Sequence, residues 1–202
     1  QELYWPAHRT LFHRIRPRVI VTDAAQAQQM ANYGLEDGRV CFINIDTIEA
    51  ALKTLTPPPV DPSQTAFLQH SSGTTSLKKG IALSHKAILY QTRSYSHALG
   101  LLDEDVIISW LPLYHDMGLV TSLIMPLVQG LTTVLMDPFL WSVRPGMLFE
   151  AIEKYNGTLV WLPNFAFDHL SRTVGRREPF ADLSKIRAFI NCSESSKLKT
   201  LD

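Results

Sequence analysis

Arg18-Val19-Ile20-Val21-Thr22-Asp23-Ala24-Ala25-Gln26-Ala27-Gln28-Gln29-Met30 is the stretch that sets the fold class. Arg18–Thr22 reads as a short strand. Asp23 stands where an N-cap carboxylate would accept a hydrogen bond from the first turn of the Ala/Gln-rich segment behind it. That helix is expected to reach about Tyr33, with Gly34 as its stop. Val40–Ile45 reads as a second strand, and Asp46 or Thr47 as the start of a helix through Leu55. Strand–helix–strand–helix predicts the α/β class, with mostly parallel sheets flanked by helices.

Pro57-Pro58-Pro59, followed by Asp61-Pro62, can be neither helix nor central strand. It predicts a linker over 57–63 between a small α/β lobe (1–56) and a larger portion (64–202). In that portion a strand at Thr65–Leu68 enters a polar loop, and Ile81–Ser84 leaves it as a second strand. Ser84 caps a predicted helix over Lys86–Leu99, and Val106–Trp110 reads as a buried strand. An apolar helix is expected from Gly118 or Leu119 to Gln129, with a kink at Pro126 and a stop at Gly130. Strands at Leu131–Met136, Thr158–Leu162 and Ile186–Ile190 and helices at Met147–Tyr155 and Phe165–Thr173 continue the alternation. Residues 1–17 carry no clear element start.

The polar loop is Ser71-Ser72-Gly73-Thr74-Thr75-Ser76-Leu77-Lys78-Lys79-Gly80. Hydroxyls, glycine-flanked backbone N–H groups and lysine ammonium groups suit a polyphosphate. The same residues also suit an ordinary polar hairpin turn. A Walker loop is excluded: Lys79 is followed by Gly80 and a strand, not by Ser/Thr and a helix.

Composition narrows the partners. Lys+Arg and Asp+Glu both count 19 among 202 residues, so no global charge favours nucleic acid or an anionic membrane. The longest apolar stretch, Gly118–Gly130, is too short to span a bilayer, and no leader pattern opens the chain. Cys41 and Cys192 lack metal-ligand spacing and read as free thiols, so a cytoplasmic setting is expected. Gln1 and Asp202 both read as cuts through something longer.

Trp110-Leu111-Pro112-Leu113-Tyr114-His115-Asp116-Met117-Gly118 leaves a predicted strand end, the place where open α/β sheets bind ligands. His115 there suits a carboxylate or phosphate, or simply caps the following helix. A hydrolase built on Ser72, His115 and Asp116 is disfavoured: there is no G-x-S-x-G elbow, and neighbouring positions are poor for Asp116 to orient the His115 ring.

The Ser71–Gly80 loop, the Leu111–Gly118 segment and Ile190-Asn191-Cys192-Ser193-Glu194 occur in the order seen in adenylate-forming enzymes, the superfamily of acyl-CoA synthetases, luciferases and peptide-synthetase adenylation domains. The text around His115 resembles the fatty acyl-AMP ligases and their acyl-CoA synthetase relatives. The resemblance covers Arg18 onward and implies part of the large N-terminal domain of such an enzyme, with the C-terminal domain absent. It implies activation of a fatty or other carboxylic acid by ATP, with release of pyrophosphate and an acyl-AMP product. The resemblance leaves coenzyme A, an acyl carrier protein or no further acceptor as the alternatives for the acyl group.

By the same resemblance, Ser71, Ser72, Gly73, Thr74, Thr75 and Lys79 would hold the β- and γ-phosphates, with Lys79 counted among the catalytic groups. Thr75 would be a ligand of Mg²⁺, whose ligands fall mostly outside the chain. His115 would orient the acid, and Ser193 and Glu194 would border the adenine. Leu119–Leu127 and Trp161–Phe167 are candidate walls of the acyl pocket, with core packing as the use of most of them. Ser76 and Lys78 depart from the family's usual glycine and proline; a Cβ at a positive-φ position costs about 1–2 kcal/mol. A shortened, non-catalytic homologue that binds a nucleotide, lipid or protein is the alternative these departures motivate.

Overall fold

Capping chemistry marks most element boundaries in the computed structural model, which describes residues 4–35, 38–48, 56, 58–70, 80–174 and 181–192. The chain divides into two units, residues 1–58 and 59–202.

In the first unit, α1 (Tyr4–Ile15) precedes β1 (Val19–Thr22), α2 (Ala24–Asn32) and β2 (Cys41–Asn44). Helix α1 was not anticipated, because no Ser, Thr, Asp or Asn precedes it and its first turn has no acidic residue. Pro17 ends it by disfavouring the α conformation at Arg16, which adopts φ 52°. The Asp23 carboxylate accepts from Gln26 N–H at 2.7 Å, and Gly34 takes φ 68° after the helix. β1 and β2 pair in parallel, Val19 opposite Cys41 through Thr22 opposite Asn44.

The helix expected from Asp46 or Thr47 is corrected over its first residues. Ile45–Thr47 form one 3₁₀ turn and Ile48 is extended, at φ −74° and ψ 113°. The Asn44 side chain accepts from Asp46 N–H at 3.0 Å and the Thr47 hydroxyl donates to Asn44 C=O at 3.1 Å, local bonds that compete with an α-helical turn. Residues 49–55 lie outside the described residues.

The second unit opens with β3 (Thr65–His70) and β4 (Gly80–Ser84), an antiparallel hairpin closed by the His70–Gly80 pair. Ser84 accepts from Ala87 N–H at 3.2 Å to start α3 (His85–Leu99), and Gly100 ends it at φ 55°. The chain continues through β5 (Val106–Ser109), α4 (Asp116–Leu119), a π-helical turn (Val120–Ile124), α5 (Met125–Gln129), β6 (Thr132–Leu135), α6 (Pro138–Val143), α7 (Met147–Tyr155), β7 (Leu159–Pro163), α8 (Asn164–Val174) and β8 (Ala188–Cys192). β6-β5-β7-β8 is an all-parallel sheet with that spatial order. Helix α6 was also missed, although Asp137-Pro138 is a start signal: the Asp137 carboxylate accepts from Phe139 and Leu140 N–H.

The two central strands are buried on both faces, as parallel strands under helices must be. Ile107, Ile108, Leu159, Val160, Trp161 and Leu162 are at most 1% exposed, and each such side chain contributes about 1.5–3 kcal/mol of burial. Trp161, Leu162 and Ala166 therefore serve the core, and none of 161–167 lines the apolar pocket described below. β8 begins two residues later than expected because Arg187 is used as an anchor. Its guanidinium donates to the buried Asp105 carboxylate and to Gly100 C=O. Asp105 also accepts from Thr158 Oγ1 at 2.6 Å and Leu102 N–H at 2.8 Å, which joins the entrances of β5, β7 and β8.

Pro126 does not kink the helix in isolation. The π-helical turn precedes it, with Met125 N–H donating to Val120 C=O. Pro126 has no N–H to offer Ser122 C=O, and Thr133 Oγ1 from β6 donates to that carbonyl instead, at 3.2 Å.

Candidate functional site

The segment between β5 and α4 turns back tightly enough that one position must be glycine. A Cβ on Gly118 would stand 2.4 Å from Pro112 O and 3.0 Å from Leu111 O, both backbone atoms. This return places His115 at the N-cap of α4, with φ −96° and ψ 141°. His115 Nδ1 lies 2.7 Å from Asp116 Oδ1, and Met117 N–H lies 2.8 Å from Asp116 Oδ1 and 3.3 Å from Nδ1. Nδ1 cannot both donate to Asp116 and accept from Met117. The shorter contact makes it the donor, and Met117 N–H then belongs to the carboxylate. Nε2 has no hydrogen-bond partner among the described residues, and the side chain is 48% exposed.

This geometry corrects one expectation: Asp116, though adjacent in sequence, does contact and orient the His115 ring. His115 thus occupies the N-cap position of α4 with the Asp116 carboxylate taking the Met117 N–H, and its Nε2 keeps no partner among the described residues. Ser71, Ser72, Gly73, Thr74, Thr75, Ser76, Lys78, Lys79, Ser193 and Glu194 lie outside the described residues.

Behind the segment runs a chain of buried hydroxyls that sequence reasoning overlooked. Ser122 Oγ donates to Ser109 Oγ at 2.7 Å, and Ser109 Oγ accepts from Leu111 N–H at 3.1 Å. Thr121 Oγ1 donates to Met117 C=O at 2.7 Å. The available signal was Thr121-Ser122 inside an otherwise apolar helix, four residues before a proline. These bonds hold the π-helical turn against the end of β5.

An apolar cavity of about 550 Å³ opens beside this turn. Phe67 of β3, Leu83 of β4, Tyr95 of α3, Val120 and Ile124 of the π-helical turn, and Cys192 of β8 contribute to its wall. Asp116 and Met117 also border it, so it reaches the first turn of α4. Its boundaries draw on one or more segments flanking each of the three sequence motifs: the two strands on either side of 71–79, the residues after His115, and the strand that runs into 193–194. Of the expected apolar wall over 119–127, Val120, Thr121 and Ile124 line this cavity. Burial pushes the Tyr95 phenol pKa up, against the hydrogen bond from Trp161, so the phenol stays protonated through neutral pH. A second cavity, about 720 Å³ and confined to the first unit, is lined by Phe12, Arg16, Arg18, Leu35 and Arg39 and holds none of the expected site residues. Among the described residues no helix is long and apolar enough to cross a membrane.

Comparison with known proteins gives this arrangement a family. The medium-chain fatty acid–acyl-carrier-protein ligase JamA of Moorena producens is 32% identical over 190 residues, covering 91% of this chain and 32% of the relative. The long-chain fatty acid–AMP ligase FadD32 of Mycobacterium marinum is 31% identical over 204 residues, covering 94% and 32%. The chain thus spans about a third of the length of these curated relatives. Among solved structures, the fatty acyl-adenylate ligase from L. pneumophila in complex with acyl adenylate and pyrophosphate superposes with a TM-score of 0.87 at 26% identity, covering 100% of this chain and 35% of that one. The profile of the AMP-binding enzyme family matches residues 7–202, and the chain belongs to that family.

Proposed function

We propose that this chain is the acid- and phosphate-binding portion of an ATP-dependent ligase that activates a fatty acid as acyl-AMP. The observation that carries the reading is the apolar cavity of about 550 Å³ bounded by the flanks of all three motifs. A fatty acid lying in it would carry its chain between α3 and the π-helical turn, with its carboxylate at the α4 end, near His115. His115 does not itself line the cavity, and its Nε2 would reach that carboxylate from just beyond the Asp116 and Met117 rim.

The donor set of the loop fits a polyphosphate. Ser71, Ser72, Thr74, Thr75 and Lys79 bring hydroxyl and ammonium donors, Gly73 brings close backbone approach, and no carboxylate interrupts them. The acid's carboxylate oxygen would bond to the α-phosphorus of ATP as the bond to the bridging oxygen breaks. Pyrophosphate leaves with that electron pair, and the loop donors stabilise the charge it gains. Mg²⁺ would supply further neutralisation of the phosphates, with the Thr75 hydroxyl as an oxygen ligand from this chain. Ser193 and Glu194 would border the adenine. The small lobe 1–56, the linker 57–63 and the site-bearing portion 64–202 are the organisation proposed to support this chemistry. The likeness to JamA favours an acyl carrier protein over coenzyme A as acceptor, and dependence on ATP favours the cytoplasm.

Pyrophosphate release with ATP and a series of straight-chain fatty acids, using the product of the complete reading frame that encodes these residues, tests the proposal. Lys79→Ala should impair use of ATP, and His115→Ala should chiefly impair the acid-dependent step. Unchanged release in Lys79→Ala would overturn the loop assignment, and silence toward every acid from a folded protein would overturn the activity.

A further inference from the structure

The cavity wall is apolar except for the exposed Gln91 and Asp116, Cys192 and three hydroxyls, and the hydrogens of the two threonine hydroxyls are committed. Thr92 Oγ1 donates to Leu89 C=O at 3.1 Å and Thr121 Oγ1 donates to Met117 C=O at 2.7 Å. Tyr95 differs. Trp161 Nε1 lies 2.7 Å from Tyr95 Oη, and an indole N–H can only donate, so the phenol oxygen is the acceptor in that bond. The phenol's own hydrogen then has no acceptor among the described residues. Trp161 is fully buried, and its ring meets the Tyr95 ring edge-on at 6.0 Å and 69°, so the phenol is held from behind and cannot swing freely.

A fixed O–H donor on an apolar wall discriminates between ligands. An alkyl chain passing it displaces water from the phenol and leaves a half-buried donor unpaired. A chain with a carbonyl oxygen at that depth replaces the water bond with its own. We infer that Tyr95 is a specificity-determining residue that makes this pocket favour carboxylic acids bearing an oxygen acceptor within the chain over plain alkyl acids. The inference rests on the proposal that the cavity receives the acid's chain.

Isothermal titration of the 202-residue chain with decanoate and with oxodecanoates carrying the ketone at successive positions tests this. At least one isomer should bind roughly fivefold to tenfold tighter than decanoate, the factor of one net hydrogen bond. In Tyr95→Phe that advantage should vanish, with decanoate binding tightening because no donor is then left unpaired against its chain. The expected readout is the ratio of the two affinities, which a loss of stability from orphaning Trp161 Nε1 would not shift. Should Tyr95→Phe fail to fold, the wild-type series decides alone: weaker binding of every oxo isomer than of decanoate overturns the inference and leaves the pocket assignment standing. Binding of neither class of acid overturns the pocket assignment and this inference together.

Discussion

Asp105→Asn is expected to destabilise the second unit by about 3 kcal/mol, and the size follows from what the carboxylate holds. Its oxygens accept from Arg187, from Thr158 Oγ1 at 2.6 Å and from Leu102 N–H at 2.8 Å, and the side chain is fully buried. An amide of the same shape can accept on one side only and turns an N–H toward donors on the other. Orphaning one buried donor costs about 1–3 kcal/mol, and breaking a buried ion pair costs about 3–5 kcal/mol. The Arg187 side chain is 34% exposed and can regain water, which holds the sum near the lower figure. In a chain of this size, 3 kcal/mol corresponds to a drop in Tm of roughly 6–12 °C.

The pH dependence has a definite sign. Burial pushes the Asp105 pKa up, but the bonds from Arg187, Thr158 and Leu102 and the Arg187 charge outweigh it, so the carboxyl titrates below the usual carboxylate range. A folded pKa below the unfolded value means that the stabilisation is complete above the unfolded pKa of about 4 and is lost as pH falls through the folded value. Urea midpoints of wild type and Asp105→Asn should therefore stay a constant distance apart from about pH 5 to 8 and converge below about pH 4. A gap under about 0.5 kcal/mol at neutral pH, or one that does not narrow in acid, would refute the anchoring role of Asp105.

Gly118→Ala should lower stability by about 1–3 kcal/mol, because its Cβ meets the Pro112 carbonyl at 2.4 Å and only backbone can yield; a gain in Tm, as at an exposed helical glycine, would contradict the close return of the loop. Gly157→Ala places a Cβ 2.4 Å from Ile108 Cγ1, so its cost in chemical denaturation should shrink markedly in an Ile108→Ala background, and strict additivity would argue against the contact. Thr133→Val removes the donor that serves Ser122 C=O opposite Pro126 and should cost about 1 kcal/mol, with Thr133→Ser largely restoring it; equal stability of the valine and serine variants would mean that the carbonyl finds another partner.

Local chemistry carried much of the fold. Asp23, Ser84 and Gly34 marked element ends because a cap is decided by a residue and its nearest neighbours: Asp23 and Ser84 cap α2 and α3 where expected, and Gly34 takes φ 68° just after α2. The apolar run around Ile107 declared a buried strand and that around Leu159 a strand, because a parallel strand covered on both faces needs unbroken hydrophobicity. Local chemistry failed where a distant partner sets the boundary. β8 starts late because Arg187 reaches Asp105, and the helix around Pro126 absorbs its proline because Thr133 arrives from the next strand.

The site divides the same way. Residue types and their order made the loop at 71–79, His115 and the 193–194 segment legible as one family's motifs, since hydroxyl, lysine and imidazole chemistry is carried by the side chains themselves. Only the tertiary structure decided that His115 sits at the N-cap position of α4 with Asp116 on its ring and no partner for Nε2 among the described residues. It alone excluded Trp161 and Leu162 from the pocket wall and put Tyr95 there, hydrogen-bonded from behind by Trp161. Tyr95 and Trp161 are far apart along the chain, and which hydrogen of a hydroxyl is already committed depends on neighbours that only folding brings together.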